Sequence, residues 1–280
     1  MVLGAVTIAA AIALLQSHRA TVIVASGTSS APSPSPSETH GQRQLTVGDD
    51  RTVTLVNLAG PAADPLLDSV AADIGPAVAT VEDFWGKDWT HYILVVATGS
   101  ADQFAAQAGA APRTDTAALA VADSVDPTRR VALGQRIVLA PGASQMDADA
   151  LRIVLTHELF HYAARADTAL DAPRWLTEGV ADYVGRPAAA ERAAAHALGP
   201  VTSLPSDAEF TGTPEQLSAA YDKAWLFARY VAEQYGPGML RALYEQAADA
   251  DGADTTTAIR EVLGATPGAV LFGWQAWLAR

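Results

Sequence analysis

One short segment, His157-Glu158-Leu159-Phe160-His161, combines the residue types that bind and use a catalytic metal. On a helix, residues four apart differ by about 40° around the axis, so both imidazoles lie on one face about one turn apart. Two histidine nitrogens at this spacing can reach a single zinc ion at about 2.0–2.1 Å. Glu158 would lie about 100° around the helix from His157, beside the metal, where it can act as a general base.

The helix that carries this segment is predicted to be buried, because apolar residues cover the histidine face and the face next to it. These residues are Leu151, Ile153, Val154, Leu155, Leu159, Phe160, Tyr162 and Ala164. Burying two histidines and a glutamate is costly unless they pair with each other or bind a metal. A bound metal therefore explains the three polar residues better than a solvated stripe does.

A catalytic zinc site needs a third protein ligand and an open coordination position. Glu178 follows His161 by 17 residues and lies in residues 176–184, which are predicted to form a second helix. Asp182, four residues after Glu178, shares its helical face. Metal-binding histidines usually donate their other N–H to a carboxylate or a carbonyl, and Asp182 is the candidate for that role.

The strings THELFHYA and PRWLTEGVADYVG lie within residues 152–185 and resemble the gluzincin branch of the zincin metallopeptidases. Within that branch they are most similar to bacterial peptidase-MA-like domains, and the similarity is looser over the rest of residues 45–280. The resemblance implies a zinc-dependent peptidase that hydrolyses peptide bonds with a metal-activated water, one catalytic zinc and a peptide or protein substrate. The implied zinc ligands are His157, His161 and Glu178, with Glu158 as general base and Asp182 orienting a ligand histidine.

The resemblance also implies an α+β, zincin-like fold. Its N-terminal half would hold a small mixed β-sheet and the active-site helix, and its C-terminal half would be mainly helical. An edge strand of the sheet would run along the cleft and hold an extended substrate, and residues 136–140 are placed in the sequence to be that strand.

In several gluzincins a tyrosine or histidine beyond the glutamate ligand donates a hydrogen bond to the transition-state oxyanion. By that resemblance Tyr221, at the head of a later helix, is the candidate for this role, with His196 as the alternative. The other interpretation of Tyr221 is simple helix packing. Two features separate the chain from well-known gluzincins. Thr177 stands where some of them have an asparagine, and the Gly-x-Met-x-Asn exopeptidase signature is absent from the sequence. The sequence therefore assigns no aminopeptidase specificity.

Hydrophobic periodicity divides the globular part into an α/β half, residues 45–164, and a helical half, residues 165–280. Apolar and β-branched runs predict strands at residues 52–58, 92–97, 117–121 and 136–139. Helical spacing predicts helices at residues 65–85, 101–108, 147–164, 176–184, 215–235, 237–246, 255–263 and 267–278.

Composition excludes several other classes of protein. The 280 residues contain no cysteine, which excludes disulfides, thiolate zinc ligands and cysteine nucleophiles. The formal net charge is −13, and no basic cluster interrupts it, so nucleic-acid binding is not expected. Half of the residues are hydrophobic, which is enough for a sizeable core.

The first 44 residues are predicted to lie outside the fold. Residues 2–15 are almost entirely apolar, which is typical of a signal peptide, and residues 1–25 are interpreted as a signal peptide or membrane anchor. Residues 26–44 are interpreted as a disordered Ser/Pro-rich linker. This order predicts an exported protein, secreted or tethered to the membrane on the extracytoplasmic face of a bacterial cell.

Three other functions fit the same residues. A zincin-like domain could have lost catalysis and serve as an extracytoplasmic binding module, although binding alone does not need Glu158. A zinc hydrolase could cleave a non-peptide amide with the same ligands. A metal-free helical domain would hold no zinc after purification.

Overall fold

The computed structural model describes residues 40–113, 116–249, 252 and 254–280. The strands are β1 (His40–Val47), β2 (Arg51–Asn57), β3 (Tyr92–Ala97), β4 (Ala118–Val121), β5 (Ser124–Asp126), β6 (Val131–Leu133) and β7 (Arg136–Leu139). The helices are α1 (Asp64–Trp85), α2 (Ala101–Ala108), α3 (Ala148–Ala164), α4 (Arg174–Gly185), α5 (Glu191–Leu198), α6 (Pro214–Tyr235), α7 (Pro237–Ala248), α8 (Thr255–Leu263) and α9 (Pro267–Leu278).

A five-stranded mixed sheet, in the order β1-β2-β3-β7-β4, forms the N-terminal half. The central strands β2, β3 and β7 are parallel, while β1 and β4 run antiparallel to their neighbours. Residues in β2 alternate between buried and half-buried, as a strand with one face on the core does. Strands β5 and β6 form a separate antiparallel pair between β4 and β7 in the sequence.

The predicted edge strand is wrong. Residues 136–139 form β7, which hydrogen-bonds to β3 on one side and to β4 on the other. The edge strands are β1 and, on the side of β7, β4, which pairs only with β7 among the described strands. After β4 the chain forms the β5–β6 pair and then enters β7, which lies between β3 and β4. The order of the strands along the chain therefore differs from their order in the sheet. The buried, apolar run Ile137-Val138-Leu139 agrees with a central position.

The helix α3 lies in the centre of the molecule, packed against α1, α4 and β4. Asp147 caps its N-terminus, since the Asp147 side chain accepts a hydrogen bond of 2.8 Å from the backbone N–H of Ala150. Nearly all of its residues from Ala150 to Ala164 are buried. The polar residues of its middle turns are therefore enclosed by the fold, as the sequence predicts.

Two glycines let α4 approach its neighbours closely. A Cβ atom at Gly179 would lie 2.7 Å from the carbonyl oxygen of Ala224 on α6. A Cβ atom at Gly185 would lie 3.0 Å from the carbonyl oxygen of Ile153 and 3.1 Å from the backbone nitrogen of His157 on α3. Because both contacts involve backbone, a larger residue would push α4 away from α3 or α6.

The predicted α+β class, with an N-terminal sheet and a mainly helical C-terminal half, is confirmed. Strand β1 begins at His40, so residues 40–44 belong to the sheet rather than to the linker. The sequence did not predict β1, the β5–β6 pair or α5. The predicted leader and residues 26–39 of the linker lie outside the described residues. Within the described part, none of the helices is long and apolar enough to cross a bilayer.

Candidate metal centre

The two histidines of α3 lie on one face of the helix and converge. The Nε2 atoms of His157 and His161 are 3.1 Å apart, and both side chains are buried. Their spacing of four residues places one imidazole a turn above the other, as the sequence predicts.

The third predicted ligand, Glu178, arrives from α4. Its Oε2 atom lies 3.3 Å from Nε2 of His157 and 3.7 Å from Nε2 of His161. A tetrahedral zinc with ligand distances of about 2.0–2.2 Å sets its ligand atoms about 3.3 Å apart. The two nitrogens and one oxygen therefore have the separations that such an ion requires.

The polar atoms around this point also fit a cation. Both carboxylate oxygens of Glu178 are buried without a hydrogen-bond partner among the described residues. Burial raises the pKa of Glu178, but the neighbouring His157 and His161 outweigh it and lower the pKa to about 2. Burial likewise opposes charge on His157, yet Asp182 and Glu178 hold its pKa well above the ordinary value. The cluster thus favours positive charge, which a divalent ion supplies.

Asp182 contacts His157 as the sequence predicts. Its Oδ1 atom accepts a hydrogen bond from Nδ1 of His157 at 2.9 Å, and both residues are buried. Metal binding would require an unprotonated Nε2 on His157, and the hydrogen bond to Asp182 keeps the remaining proton on Nδ1, which leaves the Nε2 lone pair for the ion. The second oxygen of Asp182 accepts from Arg186 at 3.3 Å, and Arg186 also stacks on the ring of Trp225.

Glu158 lies on α3 beside the ligand group and not within it. Its Oε2 atom accepts a hydrogen bond of 2.7 Å from the backbone N–H of Ala120, on the edge strand β4. Its Oε1 atom is buried and has no hydrogen-bond partner among the described residues. Burial raises the pKa of Glu158 above its ordinary value. One oxygen thus fixes the carboxylate, and the other is available to a proton.

Tyr221 is buried on α6 and connects to the ligand group through Arg174. Nη2 of Arg174 donates a hydrogen bond of 3.2 Å to the phenol oxygen, and Nε of Arg174 lies 4.0 Å from Oε1 of Glu178. Burial, reinforced by the charge of Glu178, raises the pKa of Tyr221 well above its ordinary value, so the phenol keeps its proton. His196 lies on α5 and lines a different cavity, which includes Glu233 and Trp277.

Three polar contacts of the site were not predicted from the sequence. Arg174 lies four residues before Glu178, and Arg186 lies four residues after Asp182, so i,i+4 spacing could have found both. The N–H of Ala120 could not have been found in this way, because 38 residues separate it from Glu158.

Comparison with solved structures gives the fold. An M1 zinc metallopeptidase from Deinococcus radiodurans superposes with a TM-score of 0.50 and 15% identity, over 84% of this chain and 50% of that one. A two-domain M1 zinc metallopeptidase bound to L-arginine superposes with a TM-score of 0.51 and 14% identity, over 85% of this chain and 51% of that one.

The chain has a zincin-like α+β fold. It spans about half the length of the two solved structures. No protein-family model matches the sequence, and a search of curated proteins finds no match.

Proposed function

We propose that this chain is a gluzincin-type zinc peptidase, with His157, His161 and Glu178 as the metal ligands and Glu158 as the general base. The convergence of three buried ligand atoms from α3 and α4, at 3.1, 3.3 and 3.7 Å from one another, carries the proposal. The zincin-like fold supports it, since the neighbours that share the fold are zinc metallopeptidases.

Zinc at this point would act as a Lewis acid, polarising a substrate carbonyl and making a nearby water easier to deprotonate. Glu158 would take a proton from the attacking water on Oε1, the oxygen that Ala120 does not bind. As the C–N bond breaks, Glu158 would pass that proton to the departing amine. The raised pKa of Glu158 suits both steps, because a group that accepts and then releases a proton works best when its pKa lies close to the operating pH.

The substrate would lie along β4. This strand is the edge of the sheet nearest to Glu158, and an extended peptide can pair with such an edge through backbone hydrogen bonds. Tyr221, kept protonated by burial, would supply a hydrogen bond to the developing oxyanion. Arg174 supports this role, since it holds the phenol oxygen at 3.2 Å.

The decisive experiment compares the purified protein with its Glu158→Gln variant, for zinc content and for cleavage of a peptide library. We expect one zinc per chain in both proteins and a loss of kcat/KM of roughly 100- to 10,000-fold in the variant, because only the base is removed. Glu245→Gln, an exposed glutamate paired with Arg241, is the matched control and should behave as the unaltered protein does.

His161→Ala should instead lose the metal, while His91→Ala, at an exposed site outside the ligand group, should keep it. Wild-type turnover by Glu158→Gln would overturn the assignment of the base. Bound zinc without cleavage of any peptide would favour the binding module, or the amide hydrolase if a non-peptide amide is cleaved. A folded protein free of zinc would favour the structural domain.

A further inference from the structure

A cavity of about 40 Å³ lies beside His161, between the end of α3 and the start of α4. A cavity needs about 10–15 Å³ to hold one water, so this one admits a group of a few atoms and not a large side chain. Leu170 lines the cavity and is 47% exposed, so one wall reaches solvent. A small group of a substrate bound at the metal centre can therefore enter.

The hydroxyl groups that line this cavity direct their protons elsewhere. Thr168 donates to the carbonyl oxygen of Ala164 at 2.8 Å, and Thr177 donates to the carbonyl oxygen of Arg174 at 3.0 Å. The hydroxyls of Tyr244 and Thr168 are 2.9 Å apart. Because the single proton of Thr168 is already used, Tyr244 must be the donor of that pair. None of the three hydroxyl protons is left for a ligand.

Two arginines supply the remaining donors. The guanidinium of Arg165 has no hydrogen-bond or ion-pair partner within the described residues, and burial lowers its pKa. Arg174 donates through Nη2 to Tyr221, while its buried Nε, 4.0 Å from Oε1 of Glu178, makes no hydrogen bond in the described part of the chain. Two cations with unused donors thus line one cavity, in a chain whose formal net charge is −13.

Guanidinium groups bind carboxylates through paired, charge-assisted hydrogen bonds. We propose that the cavity is a carboxylate-binding subsite in which Arg165 and Arg174 hold an acidic group of the peptide next to the bond that is cleaved. This inference rests on the proposed peptidase function and adds a substrate class to it. The carboxylate belongs either to an Asp or Glu side chain or to the C-terminus of the peptide.

The alternative is a structural role for both arginines. Arg165 stands at the C-terminal end of α3, where a cation stabilises the helix dipole, and Arg174 lies near Glu178. A structural role would change stability or general activity and would leave the preference between acidic and neutral substrates unaltered. The test therefore measures that preference as a ratio.

The zinc-loaded protein is given matched peptide pairs that differ by Glu against Gln near the cleaved bond, and by a free against an amidated C-terminus. We expect kcat/KM to favour one acidic member by roughly 10- to 100-fold, the range of a charge-assisted hydrogen bond. The pair that shows the preference identifies the source of the carboxylate. Arg165→Gln should bring the ratio close to one, and Arg165→Lys should retain part of it.

Arg260→Gln, at an exposed arginine of α8, is the control and should keep the wild-type ratio. A ratio near one in the wild-type protein, or an unchanged ratio in Arg165→Gln, would overturn the subsite.

Binding of the same peptides to zinc-loaded Glu158→Gln, with and without Arg165→Gln, gives a second readout that needs no turnover. If no peptide is cleaved but acidic peptides bind through Arg165, the peptidase function fails and the subsite stands. If peptides are cleaved without a preference for the acidic members, the peptidase function stands and the carboxylate subsite fails.

Discussion

At the scale of single residues, a series of contacts positions the proposed metal ligands one after another. Arg186 holds Asp182, Asp182 accepts from Nδ1 of His157, and Nε2 of His157 faces Glu178. Each contact removes a rotational freedom from the next side chain, so the ligand atoms are positioned before an ion arrives. Such supporting contacts matter for affinity, because a misdirected ligand loses most of its bond to the metal.

Asp182→Asn tests this support. The amide keeps the size of the side chain and loses its charge, so His157 is oriented less firmly and is a weaker ligand. We expect zinc affinity to fall by roughly 10- to 100-fold, measured by competition with a fluorescent chelator. Asp68→Asn, at an exposed aspartate paired with Arg43, is the matched control and should leave the affinity unaltered. Equal affinities for the two variants would contradict the role of Asp182.

At the scale of elements, the site depends on how closely α4 approaches α3 and α6. Glu178 and Asp182 lie on α4, while their partners His157 and His161 lie on α3. Gly179, next to Glu178, leaves no room for a Cβ atom against the backbone of Ala224. Glycines that contribute no metal ligand therefore help to set the distance of α4 from α3 and α6. That distance fixes the position of Glu178, the third proposed ligand.

Gly179→Ala should move α4 and so displace Glu178. Overpacking of this kind costs about 1–3 kcal/mol, and we expect a lower melting temperature together with weaker zinc binding. Gly268→Ala is the matched control, because a Cβ atom there meets nothing within 4 Å. It should leave zinc binding intact and stabilise the protein by about 0.4–1 kcal/mol. A Gly179→Ala variant with wild-type stability and affinity would show that α4 tolerates the shift.

At the scale of the whole molecule, the proposed metal site predicts that metal binding and folding are linked. The ligands come from two helices and meet only in the folded chain, so an ion that binds them stabilises that state. Without an ion, the buried carboxylate oxygens of Glu178 have no hydrogen-bond partner among the described residues. Their burial then destabilises the folded chain, which widens the difference in stability between the metal-bound and the metal-free protein.

Removal of zinc should therefore lower the melting temperature. At free zinc a thousand times Kd, the stabilisation is about 4 kcal/mol, or roughly 10 °C for a domain of this size. Differential scanning calorimetry with and without a chelator measures the difference, and added zinc should restore it. In His161→Ala the chelator should have little effect. A melting temperature independent of zinc in the wild-type protein would argue against a site built from both helices.

The local part of the site could be predicted because helical periodicity is a property of neighbouring residues. Spacings of four residues place His157 with His161, and Glu178 with Asp182, on common faces. In the structure the two histidines converge, and Glu178 and Asp182 both lie against His157. The helices were predicted from the same periodicity, apart from α5, an alanine-rich helix of eight residues in which Ala194 alone is buried.

What the sequence by itself determined, then, is the set of chemically competent side chains and the helices that carry them. Only the tertiary structure decided that α3 and α4 meet, that β4 and not β7 is the edge strand, and that Arg165 and Arg174 line one cavity beside His161. The reason is that strand order and helix contacts arise from the burial of apolar surface between segments far apart in the chain, and no local pattern encodes which segments will meet.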